Sequence, residues 1–126
     1  MSYLPPHAPS HTQALVVPLH HDSPLVGAPI DELRRQMREM INGSAPRGVA
    51  LDLSNAGLLS RALADTLVGV RRAADELTLE VVLVSGQPEF GALCRARGLG
   101  RLFSHFPTRE AALAHFARRA ANDGMM

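Results

Sequence analysis

The chain has 126 residues, 46% of them hydrophobic, which is enough for one domain with a single core and too few for two. Its 13 basic and 12 acidic residues leave a net charge of +1, and only 4% of the residues are aromatic. This balance argues against a nucleic-acid-binding protein, which needs a basic surface and often stacking aromatic rings.

The same composition predicts a cytoplasmic protein that does not insert into a membrane. No apolar run approaches the roughly 20 residues that a membrane-spanning helix needs. The first residues lack the basic start and apolar middle of a signal peptide. A single cysteine, Cys94, cannot form an internal disulfide, which agrees with a reducing compartment.

The first third of the chain predicts a tail, a strand and a helix. Residues 1–12 are rich in Pro, His and Ser, and we expect a mobile tail there. Residues 14–19 predict a strand that Pro18 places at an edge or at a strand end. Pro29 suits the first position of a helix, because its missing N–H would be unpaired there anyway. Apolar residues with helical spacing continue to Ile41, and Asn42-Gly43 closes the helix.

The central stretch, residues 48–67, predicts a strand, a turn and a helix start in close succession. Residues 49–53 indicate a buried strand, 54–57 a polar turn that ends in glycine, and 60–76 a helix. Ser60 is predicted to be the N-cap of that helix. Such a junction points the free N–H groups and partial positive charge of a helix N-terminus toward solvent. We therefore expect the functional surface here.

The rest of the chain continues the alternation of strands and helices. Residues 79–84 are apolar apart from Glu80, which is typical of a strand covered on both faces. A helix opening at 87–89 should place Phe90, Leu93, Cys94 and Arg97 on one side and end before Gly98. A short strand at 102–106 and a helix capped by Thr108 follow, and residues 119–126 are predicted to fray. We therefore predict an α/β domain over residues 13–118, with a mostly parallel sheet of four to five strands and about four helices.

No motif in the sequence indicates catalysis, a cofactor or a metal. The residue pair His20-His21 would point to opposite faces of a strand, and no histidine falls in a metal-ligand spacing. Asp52 and Ser54 are interpreted as residues that anchor the turn after their strand, and Cys94 as a small buried hydrophobic residue. There is neither a glycine-rich phosphate loop nor a nucleophile with an evident base. We expect a protein that is not an enzyme.

Taken together, these segments resemble the STAS domain of anti-sigma factor antagonists, stressosome proteins and sulfate transporters. The segments that carry the resemblance are the strand GVALDLS at 48–54 with the helix after it, the strand end VLVSG at 82–86 with Pro88, the segment GLGRLF at 98–103, and the final helix through Ala111, Ala112 and Leu113. The similarity covers about residues 12–116. It implies a small non-enzymatic domain that binds a protein partner at the strand-turn-helix junction.

The resemblance also implies a phosphorylation switch, which this sequence lacks in its usual form. Family members carry an Asp-Ser or Asp-Thr pair at the helix start, and phosphorylation of its hydroxyl changes partner binding. Aligned without a gap from Asp52, the family's Asp falls on Ser60 and the phosphorylated residue on Arg61. Either the switch is lost, or it has moved to Ser60. We favour loss, because Ser60 already serves as an N-cap.

The implied function is that of an anti-sigma factor antagonist, with an anti-sigma factor or a histidine-kinase-like Ser/Thr kinase as partner. The residues predicted to contact the partner are Ser54, Asn55, Gly57, Ser60, Arg61, Ala64 and Asp65. One alternative is a scaffold subunit of a stressosome-like or transporter assembly, in which the chain would form homo-oligomers. Another is a sensor of small anions or nucleotides, with the anion at the N-terminus of the helix that starts at Ser60.

Overall fold

A computed structural model describes residues 14–42, 46–57 and 59–124, and in these ranges strands and helices alternate strictly. The strands are β1 (Ala14–Pro18), β2 (Gly48–Asp52), β3 (Glu80–Val84) and β4 (Ser104–Phe106). The helices are α1 (Ile30–Ile41), α2 (Arg61–Glu76), α3 (Phe90–Ala96) and α4 (Arg109–Gly124). The described residues thus have the predicted order of four strands and four helices.

The four described strands form one parallel sheet in the order β1-β2-β3-β4. Ala50 pairs with Val16 on one side and with Val82 on the other, so β2 and β3 are the central strands. Pro18 lies at the end of β1, an edge strand, as the missing N–H of proline requires. The predicted α/β class with a parallel sheet is confirmed.

Helices cover the two faces of the sheet unequally. Because successive strand residues point to opposite faces, Val49 and Leu51 belong to a large core cluster with residues of α1, α2 and α3. Ala50 and Val82 belong to a smaller cluster with Phe116 of α4. Helix α4 is therefore the cover of the second face within the described residues.

Gly48 allows α4 to lie directly on the amino end of β2. A Cβ atom at Gly48 would be 2.1 Å from Cε1 of the Phe116 ring and 2.9 Å from the carbonyl oxygen of Glu80. Both distances are too short for a side chain at position 48. Only glycine therefore allows α4 to lie this close to β2.

Several element boundaries differ from the predicted ones. Pro29 is the N-cap of α1 and not its first residue, while Asn42 is its C-cap and Gly43 lies outside the described residues. Helix α3 starts at Phe90 because residues 87–89 form a turn, closed by a bond from the Phe90 N–H to the Gln87 carbonyl (3.1 Å). Arg97, predicted to share one side of the helix with Phe90, Leu93 and Cys94, is the exposed C-cap of α3.

The last two elements also differ in length from the prediction. Strand β4 starts at Ser104, because the backbone N–H groups of Leu102 and Phe103 bond to the carbonyl of Leu99 in a turn. Helix α4 continues past Arg118 to Gly124, in keeping with the high helix propensity of its alanine-rich sequence.

The predicted tail at 1–12 lies outside the described residues, and the domain bounds stay a prediction. Among the described helices, none combines the length and apolar character needed to cross a membrane.

Candidate functional site

Asp52, at the carboxyl end of β2, holds the turn that follows it. Only 8% of the residue is exposed. Its Oδ1 accepts a hydrogen bond from the Ser54 N–H (3.0 Å), and its Oδ2 pairs with Nε of Arg109 (2.5 Å). Asp52 therefore anchors the turn, as predicted, and also joins the start of α4 to the sheet.

The environment of Asp52 keeps its carboxylate ionised. Burial by itself would raise the pKa of Asp52, but the hydrogen bonds from Ser54 and the charge of Arg109 outweigh it and hold the pKa below the usual value. The carboxylate of Asp52 therefore serves contacts within the domain and is not available to a ligand.

The turn between β2 and α2 is fixed at its base and open at its tip. Its base is held by buried apolar residues, Leu53, Ala56 and Leu59, and by a bond from the Leu53 N–H to the Val84 carbonyl (2.7 Å). Ser54, Asn55 and Gly57 are exposed. Gly57 has a φ of 73°, which favours glycine. Three of the predicted contact residues are therefore presented to solvent on a rigid support.

Helix α2 begins with the predicted serine cap. Oγ of Ser60 accepts a hydrogen bond from the Leu63 N–H at 3.1 Å, which satisfies one free donor of the first turn. Arg61 and Asp65 are exposed and Ser60 is half-buried. Ala64 is only 7% exposed, because it faces the core, so it supports this surface but offers a partner almost no area. We define the α2 N-terminal surface as Ser54, Asn55, Gly57, Ser60, Arg61 and Asp65.

Arg61 places an exposed positive charge at the start of α2, one helical turn before Asp65, the acidic residue of this surface. The first turn of the helix contains no acidic residue, and Arg61 forms no ion pair with any residue in the described ranges. A cation at a helix N-terminus adds to the partial positive charge of the free N–H groups and is unfavourable for the isolated domain. An acidic group of a partner would relieve this repulsion.

A loop from the neighbouring edge strand borders the surface, through contacts that sequence reasoning missed. Oγ1 of Thr66, a buried residue of α2, accepts a hydrogen bond from the Gly27 N–H (3.0 Å) and donates one to the Ala62 carbonyl (3.0 Å). Nε2 of His21 lies 3.8 Å from where a Cβ atom of Gly57 would be. A polar residue at an otherwise apolar helix position was the only sequence signal for the role of Thr66.

Other residues considered in the sequence have structural roles. Nδ1 of His20 accepts from the Asp22 N–H (3.3 Å) within a turn. Within the described residues, no group of three or more His, Cys, Asp or Glu side chains could hold a metal ion. Cys94 is buried, which raises the pKa of its thiol, so it is the small apolar residue that was predicted.

The structure is thus an α/β domain with a parallel sheet and an exposed polar surface at a strand-turn-helix junction. The family model of the STAS domain matches residues 6–112, and the chain belongs to the STAS domain family. The match begins within residues 1–12, which were predicted to form a tail. No curated protein matches the chain. Membership supports a general role in regulation or binding.

Proposed function

We propose that this STAS domain is a non-enzymatic regulatory domain that acts like an anti-sigma factor antagonist. The α2 N-terminal surface would bind a protein partner in the cytoplasm, either an anti-sigma factor or a histidine-kinase-like Ser/Thr kinase. Support comes from the family assignment and from the exposure of Ser54, Asn55, Arg61 and Asp65 on one junction.

The observation that carries the proposal is the position, exposure and charge of Arg61. It occupies the position of the phosphorylated residue in the family's pattern, it is exposed, and no described acidic residue neutralises it. An exposed cation beside free helix N–H groups favours contact with an acidic patch on a partner. Because arginine cannot be phosphorylated by a Ser/Thr kinase, phosphorylation of this residue would not switch binding at this surface on or off.

Affinity capture from the cells that make the protein tests the binding surface, with quantitative mass spectrometry as the readout. The immobilised domain, its Arg61→Glu variant and its Arg118→Glu variant would be compared. Arg118 is exposed on α4, at the other face of the sheet, so the control has the same charge change away from the surface. We expect an anti-sigma factor or related kinase with the wild type and Arg118→Glu, and at least tenfold less with Arg61→Glu. Equal capture by all three proteins would contradict this surface.

Incubation of the domain with the captured kinase and ATP tests the loss of the switch. Ser60 is half-buried and its Oγ is engaged with the Leu63 N–H, so we expect no phosphate on it. The double variant Ser60→Asp, Arg61→Ser restores the family's pair and should be phosphorylated by the same kinase, which shows that the enzyme is active. A phosphopeptide carrying modified Ser60 from the wild type would show instead that the switch has moved.

A further inference from the structure

Thr78 follows the C-cap of α2 and has the left-handed backbone conformation that this type of helix end requires. Thr78 has a φ of 59° and is the only non-glycine residue with a positive φ in the described ranges. The Thr78 N–H bonds to the Asp75 carbonyl (3.1 Å) and the Leu79 N–H to the Ala74 carbonyl (2.9 Å), which is the Schellman pattern. Glycine is the usual residue at this position, because a β-branched side chain is disfavoured there. The helix end explains the backbone conformation of Thr78, but it does not explain why threonine stands here instead of glycine.

Thr78 lines a groove at the amino end of β3 and β4. The groove has a volume of about 570 Å³, which lies in the range of small-molecule sites. Arginines from three separate elements line it: Arg71 of α2, Arg101 of the turn before β4, and Arg119 of α4. Thr78 and Ser104 add a hydroxyl group each. We call this region the arginine groove.

The acidic residues of the arginine groove leave two of its arginines available. Glu80 is engaged by His115 (Nε2 to Oε2, 3.0 Å) and by Arg119 (3.3 Å), both from α4. Asp75 lies 3.8 Å from Arg71, and both side chains are exposed. An exposed ion pair of this length contributes little to stability, so a bound anion could replace Asp75 as the partner of Arg71.

Arg101 adds a positive charge to the arginine groove that an anionic ligand could use. It is exposed, and it has no ion pair with any residue that the structure describes. Beside it, the half-buried side chains of Leu79 and Leu102 provide an apolar wall. The groove thus combines unpaired guanidinium charge, two hydroxyl donors and an apolar surface.

We propose that the arginine groove binds a small phosphate monoester. Guanidinium groups of Arg71 and Arg101 would hold the phosphate oxygens, the hydroxyl groups of Thr78 and Ser104 would donate to them, and the organic part would lie against Leu79 and Leu102. This site is at the opposite end of the sheet from the α2 N-terminal surface, so it does not depend on the proposed function.

Titration of the ¹⁵N-labelled domain with phenyl phosphate tests the proposal. We expect saturable shifts in the amides of residues 78–81 and 100–104, weaker binding of inorganic phosphate and of benzenesulfonate, and no effect of phenol. Arg101→Ala should weaken binding at least tenfold, since a charge-assisted hydrogen bond is lost. Arg97→Ala, which removes an exposed arginine outside the groove, should leave the affinity unchanged.

Four results would overturn the proposal: no saturable shifts, shifts outside the groove, equal losses in Arg101→Ala and Arg97→Ala, or benzenesulfonate binding as tightly as phenyl phosphate. Inorganic phosphate binding as tightly as phenyl phosphate would overturn the monoester assignment, because the apolar wall would then contribute nothing.

Thr78→Gly separates a binding role from a merely structural one. Removal of the side chain relieves the strain at a positive φ, so we expect a melting temperature a few degrees higher. The affinity for phenyl phosphate should fall severalfold because a hydroxyl donor is lost, and Thr78→Ser should retain it. A higher melting temperature with unchanged affinity would show that Thr78 takes no part in binding.

Discussion

The two ends of the parallel sheet differ in how their acidic side chains are paired and in which residues have a positive φ. At the carboxyl end, the positive φ values of the described loops belong to glycines, Gly27 and Gly57, and Asp52 is buried in a closed set of bonds. At the amino end, positive φ values belong to Gly98 and also to Thr78, and arginine side chains line an open groove with loose pairing. The carboxyl end therefore presents an exposed surface on a well-bonded turn, whereas the amino end has an open groove and a non-glycine residue with a positive φ.

Helix α4 joins these two ends. Its first residue, Arg109, pairs with Asp52 at the carboxyl end, while His115 and Arg119 contact Glu80 at the amino end. Between them, Phe116 lies on Gly48. Changes in these contacts should therefore show how far each end depends on α4.

The largest expected effect is at the amino end, where Gly48→Ala would force a methyl group into the Phe116 ring and the Glu80 carbonyl. We expect a loss of about 2–3 kcal/mol in the free energy of unfolding, as for overpacked cores. Urea denaturation measures it. Gly91→Ala is the matched control, because its Cβ would lie 3.6 Å from Nη1 of Arg95, an ordinary contact. A loss no larger than that of the control would show that α4 does not approach β2 this closely.

A smaller effect is expected at the carboxyl end from Asp52→Asn. The substitution removes the charge that pairs with Arg109, and we expect a loss of about 1 kcal/mol at pH 7, modest because the Arg109 side chain is 50% exposed.

The pH dependence of this difference has a defined sign. The pKa of Asp52 is lower in the folded protein than in the unfolded chain. Its stabilising contribution is therefore present above the unfolded value, about 3.9, and is lost as the pH falls through the folded value. The stability gap between wild type and Asp52→Asn should close between pH 5 and the acid limit (about pH 2) where the fold can still be measured. A gap that is equal at pH 7 and in acid would contradict the role assigned to the carboxylate.

The smallest expected effect is a gain in stability from Arg61→Glu. An acidic residue in the first turn of α2 would interact favourably with the free N–H groups. Repulsion from Asp65, four residues further on, would oppose part of this gain, so we expect an increase of about 0.3 kcal/mol in the free energy of unfolding. Thermal denaturation at low ionic strength measures it, and the gain should shrink in high salt. A loss of stability would mean that Arg61 makes a stabilising contact within the domain, which would argue against its role in partner binding.

Local patterns in the sequence predict most of this fold. The unbroken apolar run of β3 and the helical spacing of apolar residues in α1 and α2 are determined by short-range periodicity. The Ser60 cap depends on residues only three positions apart. The start of α3 was less predictable, because Pro88 suits both the first turn of a helix and the tight turn that it occupies.

The site was predictable only in part, because its missing pieces are contacts between distant segments. The Asp52–Arg109 pair joins residues 57 positions apart, and the Thr66–Gly27 bond joins residues 39 positions apart. The burial of Ala64 next to the exposed Asp65, and the groove around Thr78, depend on how helices pack on the sheet. No local pattern carries that information.

Hydrogen exchange of the domain alone and in complex with its captured partner tests the central claim most directly. If the α2 N-terminal surface is the binding site, peptides covering residues 53–65 should exchange more slowly in the complex, while peptides covering residues 100–106 and 113–119 should be unchanged. Protection confined to the amino end of the sheet or to α4, with 53–65 unchanged, would contradict the account.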